Sequence, residues 1–209
     1  MKFIIRLFSA LIITFSYIEL AYSKTTKIII FGDSLIAGYG LVVEDNFVNQ
    51  LKLKTIKNKI NDVTFFNSGV SGETSTGLLN RYKWVLEDNY DGVIILIGAN
   101  DALRGIDPRL TSQNIEKILS YLKEKQIPTM LIGMKAPNNL GEIYVNEFNA
   151  IYSKLSKKYD TAYYPFFLKD VALKPSLNQR DMIHPNKKGV KIIVNNFFPY
   201  FLEFYESLK

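Results

Sequence analysis

The 209-residue chain contains no cysteine and only one histidine. The absence of cysteine excludes disulfides, thiolate metal sites and a lipid-modified cysteine anchor. With a single histidine, only scattered carboxylates remain as possible metal ligands, so we expect no bound metal. The sequence also lacks a Gly-x-x-x-x-Gly-Lys phosphate loop and a paired-glycine dinucleotide fingerprint. We therefore expect an activity that requires no metal and no organic cofactor.

The sequence has no long run of like charges. Its 26 Lys and Arg residues outnumber its 20 Asp and Glu residues and give a net charge of +6. No basic segment interleaved with aromatic residues accompanies this excess, so nothing favours a nucleic-acid partner. The composition, 47% hydrophobic and 22% charged, is that of an ordinary globular domain with a sizeable core.

The amino terminus differs from the rest of the sequence. Lys2 and Arg6 precede an apolar run from Leu7 to Ile18, which Glu19 closes. This run is shorter than the ~20 residues that span a bilayer. It is followed by Ala21-Tyr22-Ser23, which has small residues at the two positions that a signal peptidase reads. The pattern is typical of a secretory signal peptide.

We therefore predict a signal peptide over residues 1–23, cleaved after Ser23, and one domain over residues 24–209. The alternatives are a membrane anchor and a first core helix. Cleavage would leave no stable membrane anchor and would place the protein in the bacterial periplasm or outside the cell.

From Lys27 onward, short apolar runs alternate with longer helical patterns, as in βαβ units. The predicted strands are Lys27–Phe31, Val63–Asn67, Gly92–Ile97, Thr129–Met134 and Ala162–Pro165. The predicted helices are Asp45–Lys59, Ser75–Asp88, Ser112–Lys125, Ile143–Tyr159 and Lys187–Tyr205. These elements predict one α/β domain, a three-layer α/β/α sandwich around a mostly parallel five-stranded sheet.

Two loops after predicted strands carry candidate functional residues, because ligands of open α/β sheets bind at the carboxyl ends of strands. The first loop is Gly32-Asp33-Ser34-Leu35, where Ser34 would present both a hydroxyl and a backbone N–H. The second is Ser71-Gly72-Glu73-Thr74, where Gly72 lets a backbone N–H approach a ligand. Taken singly, Ser34 also fits a helix-capping or turn serine, and the second loop fits a plain turn.

Two further segments complete the pattern. Asn100, in Gly98-Ala99-Asn100-Asp101, offers an amide donor directly after a buried strand. Asp181-Met182-Ile183-His184-Pro185 places a carboxylate three positions before the imidazole, where it could orient the ring. A lone histidine is often structural. If a serine–histidine pair performs acyl transfer here, however, His184 must be the base.

Together these four blocks resemble the SGNH/GDSL hydrolases, in the forms Gly-Asp-Ser-Leu, Ser-Gly-x-Thr, Gly-x-Asn-Asp and Asp-x-x-His-Pro. The resemblance extends from Lys27 to the last helix and is strongest to the periplasmic thioesterase I/lysophospholipase and bacterial arylesterase subgroup. It implies a flavodoxin-like sandwich. It also implies Ser34 as nucleophile, Asp181 and His184 as its triad partners, and an oxyanion hole formed by Ser34, Gly72 and Asn100.

Two departures from the family pattern affect the expected substrate more than the mechanism. Glu73 stands where aspartate is common, and the segment 135–140 differs from its relatives in a loop expected to border the acyl chain. The candidate substrate-binding residues in and near this loop are Ala136, Pro137, Leu140, Tyr144 and Phe166.

The sequence thus predicts a serine esterase acting on a small-molecule or lipid ester, through an acyl-enzyme. The resemblance favours arylesterase, acyl-CoA thioesterase or lysophospholipase-like activity. Two alternatives remain open: a carbohydrate or peptidoglycan O-deacetylase with the same catalytic residues, and a non-catalytic envelope protein that keeps the fold as a binding module.

Overall fold

The computed structural model describes residues 25–209, and the predicted signal peptide lies outside the described residues. Five strands form one sheet in the order β2-β1-β3-β4-β5, and every neighbouring pair is parallel. The strands are β1 (Thr26–Gly32), β2 (Val63–Gly69), β3 (Gly92–Leu96), β4 (Thr129–Ile132) and β5 (Ala162–Tyr164). The predicted fold class and the five strands are confirmed.

Seven α-helices connect and follow these strands within the described part of the chain. They are α1 (Ser34–Ala37), α2 (Phe47–Lys57), α3 (Ser75–Val85), α4 (Ala99–Leu103), α5 (Pro108–Glu124), α6 (Glu142–Tyr159) and α7 (Lys187–Glu206). Helix α2 packs against α7, whereas α5 packs between α3 and α6. The two groups cover opposite faces of the sheet and give the predicted three layers.

The central strands are apolar over most of their length, as expected for strands that helices cover on both faces. Ile28–Phe31 of β1 and all of β3 and β4 are buried. Strand β2 is at the edge of the sheet and is more exposed, with 38% of Phe66 accessible to solvent. The strand that precedes Ser34 therefore lies in the buried centre of the sheet.

Two helix boundaries differ from the prediction for local reasons. Helix α5 begins at Pro108, four residues before the predicted Ser112, because the Asp107 carboxylate caps it and proline needs no N–H at the first position. Helix α2 begins at Phe47 because the Asn46 side chain caps it there. Helices α1 and α4, which the sequence analysis did not predict, are each about one turn long.

The two ends of the described chain meet at Asp62, in the loop before β2. The Thr26 N–H donates to the Asp62 carbonyl at 2.8 Å, and the Lys209 ammonium lies 3.8 Å from the Asp62 carboxylate. The Tyr205 hydroxyl also donates to this carboxylate. Both ends thus lie at the amino edge of the sheet.

Candidate active site

The turn after β1 places Ser34 at the carboxyl edge of the sheet, as the first residue of α1. Asp33 caps this helix, since its carboxylate accepts the Leu35 N–H at 2.9 Å. The turn requires glycine at position 32, where a Cβ atom would lie 2.3 Å from Ile36 Cγ1 and 2.9 Å from the Leu96 carbonyl. As a first-turn residue, Ser34 has a backbone N–H without an acceptor inside the helix.

The loop before α7 brings the only histidine to Ser34. The Ser34 Oγ lies 2.8 Å from His184 Nε2, and His184 Nδ1 lies 2.7 Å from Asp181 Oδ2. Ser34, His184 and Asp181 therefore form a continuous chain of side-chain hydrogen bonds. The Tyr39 ring packs on the imidazole with a centroid distance of 4.7 Å, a contact that no sequence pattern indicated.

The Asp181 carboxylate is held in its ionised form. Burial tends to raise its pKa, but the backbone N–H and ring of His184 and the Ile183 N–H outweigh burial and lower the pKa to about 2. An ionised carboxylate can orient the Nδ1–H tautomer of the ring and stabilise a protonated imidazole.

The segments carrying Gly72 and Asn100 are joined to each other. Gly72 has φ +78°, and its N–H donates to no group within residues 25–209. Asn100, in α4, donates from Nδ2 to the Glu73 carbonyl at 3.1 Å, which leaves its second amide hydrogen for another acceptor. The Arg104 guanidinium donates to the Gly72 carbonyl at 2.8 Å. Hydrogen bonds thus join the loop that carries Gly72 to the helix that carries Asn100.

Glu73 replaces the common aspartate without losing a partner. Its carboxylate receives two hydrogen bonds from the Arg81 guanidinium, at 2.5 and 2.6 Å, and Arg81 also donates to the Ser68 hydroxyl and carbonyl. The longer side chain therefore anchors the Gly72 loop to α3 and the end of β2. Arg81 was not identified from the sequence, because a pair eight residues apart gives no recognisable motif.

Asp33, the residue before the candidate nucleophile, is almost fully buried. One of its oxygens, Oδ2, has no hydrogen-bond partner among the described protein groups. Burial raises the pKa of this carboxyl to about 6, opposed by the Leu35 N–H and the charge of His184. The carboxyl thus changes its charge near pH 6 rather than near pH 4.

The predicted substrate-binding residues fall into two groups. Leu140 and Tyr144 line an open cavity of about 570 Å³ between the start of α5 and the start of α6. Ala136 is buried and donates its N–H to Asn149, and neither it nor Pro137 lines this cavity. Phe166 does not line it either, and its ring lies under the Lys135 ammonium.

The remaining cavity wall combines apolar and charged groups. Its other lining residues are Gly105, Asp107, Pro108, Arg109, Gly141, Glu142, Ile143 and Glu147.

Over residues 25–209, no group of three or more His, Asp or Glu side chains is arranged to hold a metal ion. In the same part of the chain, no helix has the length and apolar character needed to cross a membrane.

A serine, an imidazole and a carboxylate linked in this order at the carboxyl edge of a parallel sheet are the arrangement of α/β serine hydrolases. The fold and the site define that class. The chain belongs to the GDSL-like Lipase/Acylhydrolase family, whose model matches residues 30–192. The predictions of an SGNH/GDSL family member and of a serine hydrolase of ester bonds are confirmed.

Named relatives are similar over most of their length. An arylesterase of Vibrio mimicus is 33% identical over 88% of this chain and 92% of its own. Thioesterase 1/protease 1/lysophospholipase L1 of Escherichia coli (strain K12) is 36% identical over 80% of this chain and 79% of its own. The crystal structure of AlinE4, an SGNH-hydrolase family esterase, is 40% identical with a TM-score of 0.73, covering 86% of this chain and 96% of that one.

Proposed function

We propose that this protein is an exported serine esterase that hydrolyses carboxylic esters and thioesters through an acyl-enzyme on Ser34. The observation that carries the proposal is the hydrogen-bonded chain from Ser34 Oγ to His184 Nε2, at 2.8 Å, and from His184 Nδ1 to Asp181 Oδ2, at 2.7 Å. The nucleophile thus lies within proton-transfer distance of the base, and the base is hydrogen-bonded to the carboxylate that orients it.

In the proposed acylation step, the Ser34 oxygen attacks the substrate carbonyl carbon while His184 Nε2 takes the serine proton. The tetrahedral intermediate then collapses, and His184 gives this proton to the leaving alkoxide or thiolate. A water molecule repeats the sequence on the acyl-enzyme and releases the carboxylic acid. Asp181 stays ionised throughout and stabilises the imidazolium, in keeping with its lowered pKa.

The oxyanion of this intermediate would be held by the backbone N–H groups of Ser34 and Gly72 and by Asn100 Nδ2. The free Gly72 N–H and the second amide hydrogen of Asn100 support this role. Each such donor contributes about 3 kcal/mol to the transition state in serine hydrolases. Two hydrogen bonds, from Asn100 to the Glu73 carbonyl and from Arg104 to the Gly72 carbonyl, join the loops that carry Gly72 and Asn100.

For the substrate, we propose aryl esters, acyl thioesters and lysophospholipids, with the acyl chain in the cavity lined by Leu140, Ile143 and Tyr144. The size of the cavity and its apolar side chains suit an acyl group. Its wall includes Gly105, next to the Arg104 that binds the Gly72 carbonyl, but none of the triad or oxyanion residues. The names of the arylesterase and of the thioesterase/lysophospholipase relatives support the same substrate classes.

A second candidate, an O-deacetylase of envelope carbohydrate, is favoured by one feature of the same cavity. Asp107, Arg109, Glu142 and Glu147 also line it, and charged side chains of both signs suit a sugar better than an alkyl chain. The catalytic residues would be unchanged, since acetyl esters follow the same chemistry. Activity confined to acetyl esters would select this candidate.

The test of the mechanism compares Ser34→Ala, His184→Ala and the double variant in hydrolysis of nitrophenyl butyrate. Each single change should lower kcat by at least ~10³-fold, and the double variant should be scarcely worse, because triad members act as a unit. A serine-directed phosphonate should label Ser34 in the unmodified protein.

Ser153→Ala is the matched control for this series. Ser153 lies on the exposed part of α6, and among residues 25–209 its hydroxyl hydrogen-bonds only to the Ala150 carbonyl. This variant should keep full activity and full labelling. Additive losses from the two triad changes would contradict the assignment. Absence of both turnover and labelling would favour the non-catalytic binding module.

A further inference from the structure

The residue next to Asn100, a candidate oxyanion donor, carries a fully buried carboxylate. Asp101 follows Asn100 in α4 and is 0% exposed. Its Oδ2 accepts the Ser75 N–H at 2.8 Å, and its Oδ1 accepts the hydroxyls of Ser75 and Thr111 at 2.5 and 3.0 Å. A buried carboxylate lowers the stability of the fold unless it is fully hydrogen-bonded. The three donors that converge on Asp101 therefore indicate a site that the fold specifically stabilises.

The donors around Asp101 are themselves held in place. Asn114, on α5, donates from Nδ2 to the Ser75 hydroxyl at 3.0 Å and to the Thr76 hydroxyl at 2.9 Å. No Lys, Arg or His among residues 25–209 forms an ion pair with Asp101, so hydroxyls and the amino end of α3 supply its stabilisation. The network joins α3, α4 and α5 at one point.

The position of the network in the sequence connects it to the oxyanion hole. Asp101 is one residue after Asn100, and its partner Ser75 is three residues after Gly72. The remaining links between these segments, from Asn100 to the Glu73 carbonyl and from Arg104 to the Gly72 carbonyl, are only partly buried or exposed. Charge-assisted hydrogen bonds away from water are stronger than these and resist screening.

We infer that Asp101 is a positioning residue, which fixes the separation of the Asn100 amide from the Gly72 N–H and acts on the reaction through Asn100. The inference rests on the proposed function, because it assigns these two groups to the oxyanion. Electrostatic catalysis of this kind needs donors placed within about 0.5 Å. Loss of the carboxylate charge would loosen α4 relative to the Gly72 loop without removing a group that contacts substrate.

The central experiment is a double-mutant cycle of Asp101→Asn and Asn100→Ala with nitrophenyl butyrate. Asn100→Ala should lower kcat about 10²–10³-fold with little change in KM. Asp101→Asn should lower kcat roughly 10–100-fold, also with little change in KM, since a misplaced donor loses part of its contribution. In the Asn100→Ala background, Asp101→Asn should lower kcat by a smaller factor than in the unmodified protein, because Asn100 is already gone and only the Gly72 N–H is left to be misplaced.

A pair of threonine variants separates positioning from general stability. Thr111→Val removes one donor to Asp101, whereas Thr129→Val removes a hydroxyl that bonds the Ile127 carbonyl at the opposite edge of the sheet. Both threonines are buried, so both variants should lower Tm. Only Thr111→Val should lower kcat. If Asp101→Asn fails to fold, the comparison of Thr111→Val with Thr129→Val still tests the inference.

Hydrogen–deuterium exchange gives a readout that does not depend on turnover. Asp101→Asn or Thr111→Val should accelerate exchange in residues 70–76, and Thr129→Val should leave it unchanged. Additive losses in the cycle, an unchanged kcat in Asp101→Asn, or unchanged exchange in residues 70–76 would overturn the inference. If the unmodified protein hydrolyses no ester, the proposed function fails, and exchange alone decides whether Asp101 positions the loop.

Discussion

Asp33 shows how a single residue near the candidate nucleophile can lower the stability of the whole domain. Burial raises the pKa of its carboxyl from 3.8 to about 6. Between these values the folded protein binds a proton that the unfolded chain has released, so stability falls as pH rises through this window and stays lower above it. A shift of this size corresponds to roughly 3 kcal/mol.

We therefore expect Asp33→Asn to stabilise the protein at pH 8 by up to ~3 kcal/mol and to have almost no effect at pH 4. The amide oxygen can still accept the Leu35 N–H and cap α1, so only the charge is lost. The measurement is the free energy of unfolding in urea at the two pH values.

Asp88→Asn, in an exposed loop, serves as the control for Asp33→Asn and should change stability little at either pH. Equal effects of Asp33→Asn at pH 4 and pH 8 would show that burial of the charge is not the cause. Destabilisation at pH 8 would show that the unpartnered Oδ2 has a favourable partner in solution.

Individual residues of the site could be predicted when the sequence displays them in a motif or makes them unique. Ser34 and Asn100 follow buried strands, and His184 is the only imidazole. Arg81 and Tyr39 could not be predicted, because their importance comes from contacts with Glu73 and His184 that exist only in the folded chain. The burial of the Asp33 carboxyl could not be predicted either, because the short motif around it contains polar residues that are usually exposed.

At the scale of elements, the strands were predictable because each buried strand reads as an unbroken apolar run, as in Ile28–Phe31. Helix α4 was missed because five residues are too few to show a helical period. Its start depends on Gly98 at φ +115°, where a Cβ atom would lie 2.3 Å from the Tyr152 hydroxyl. Such close approaches of separate segments leave no trace in local sequence.

The cleft between α5 and α6 predicts a dependence on acyl-chain length. For nitrophenyl esters from acetyl to palmitoyl, kcat/KM should rise several-fold per two-carbon step until the cavity is filled, since each buried CH₂ contributes up to ~0.8 kcal/mol. Leu140→Ala should flatten this rise while leaving acetyl ester hydrolysis nearly unchanged, because Leu140 lines the cavity.

Leu173→Ala is the matched control for the chain-length series, since Leu173 is 81% exposed and does not line the cavity. It should keep the profile of the unmodified protein. A profile that peaks at acetyl esters would place the acyl chain outside this cavity and promote the carbohydrate deacetylase. Acyl-CoA and lysophospholipid assays then distinguish thioesterase from lysophospholipase activity.

At the scale of the whole molecule, we expect the exported protein to begin at Lys24. Intact mass spectrometry of protein recovered from the periplasm or the medium should show loss of residues 1–23. Ala21→Arg should block this processing, because the peptidase requires a small residue there, whereas Thr25→Ser, beyond the cleavage site, should not affect it. A product that retains residues 1–23 would indicate an anchor in place of a removed leader.

The meeting of the two chain ends at Asp62 has a practical consequence for attaching the protein to a surface. Strand β1 runs seven residues from Thr26 to Gly32, so the ends and Ser34 are separated by about 20 Å across the sheet. A tether at either end would hold the amino edge toward a bead or electrode and leave the mouth of the site facing free solution. One short linker between the ends could also close the chain into a ring without crossing the path of an incoming ester.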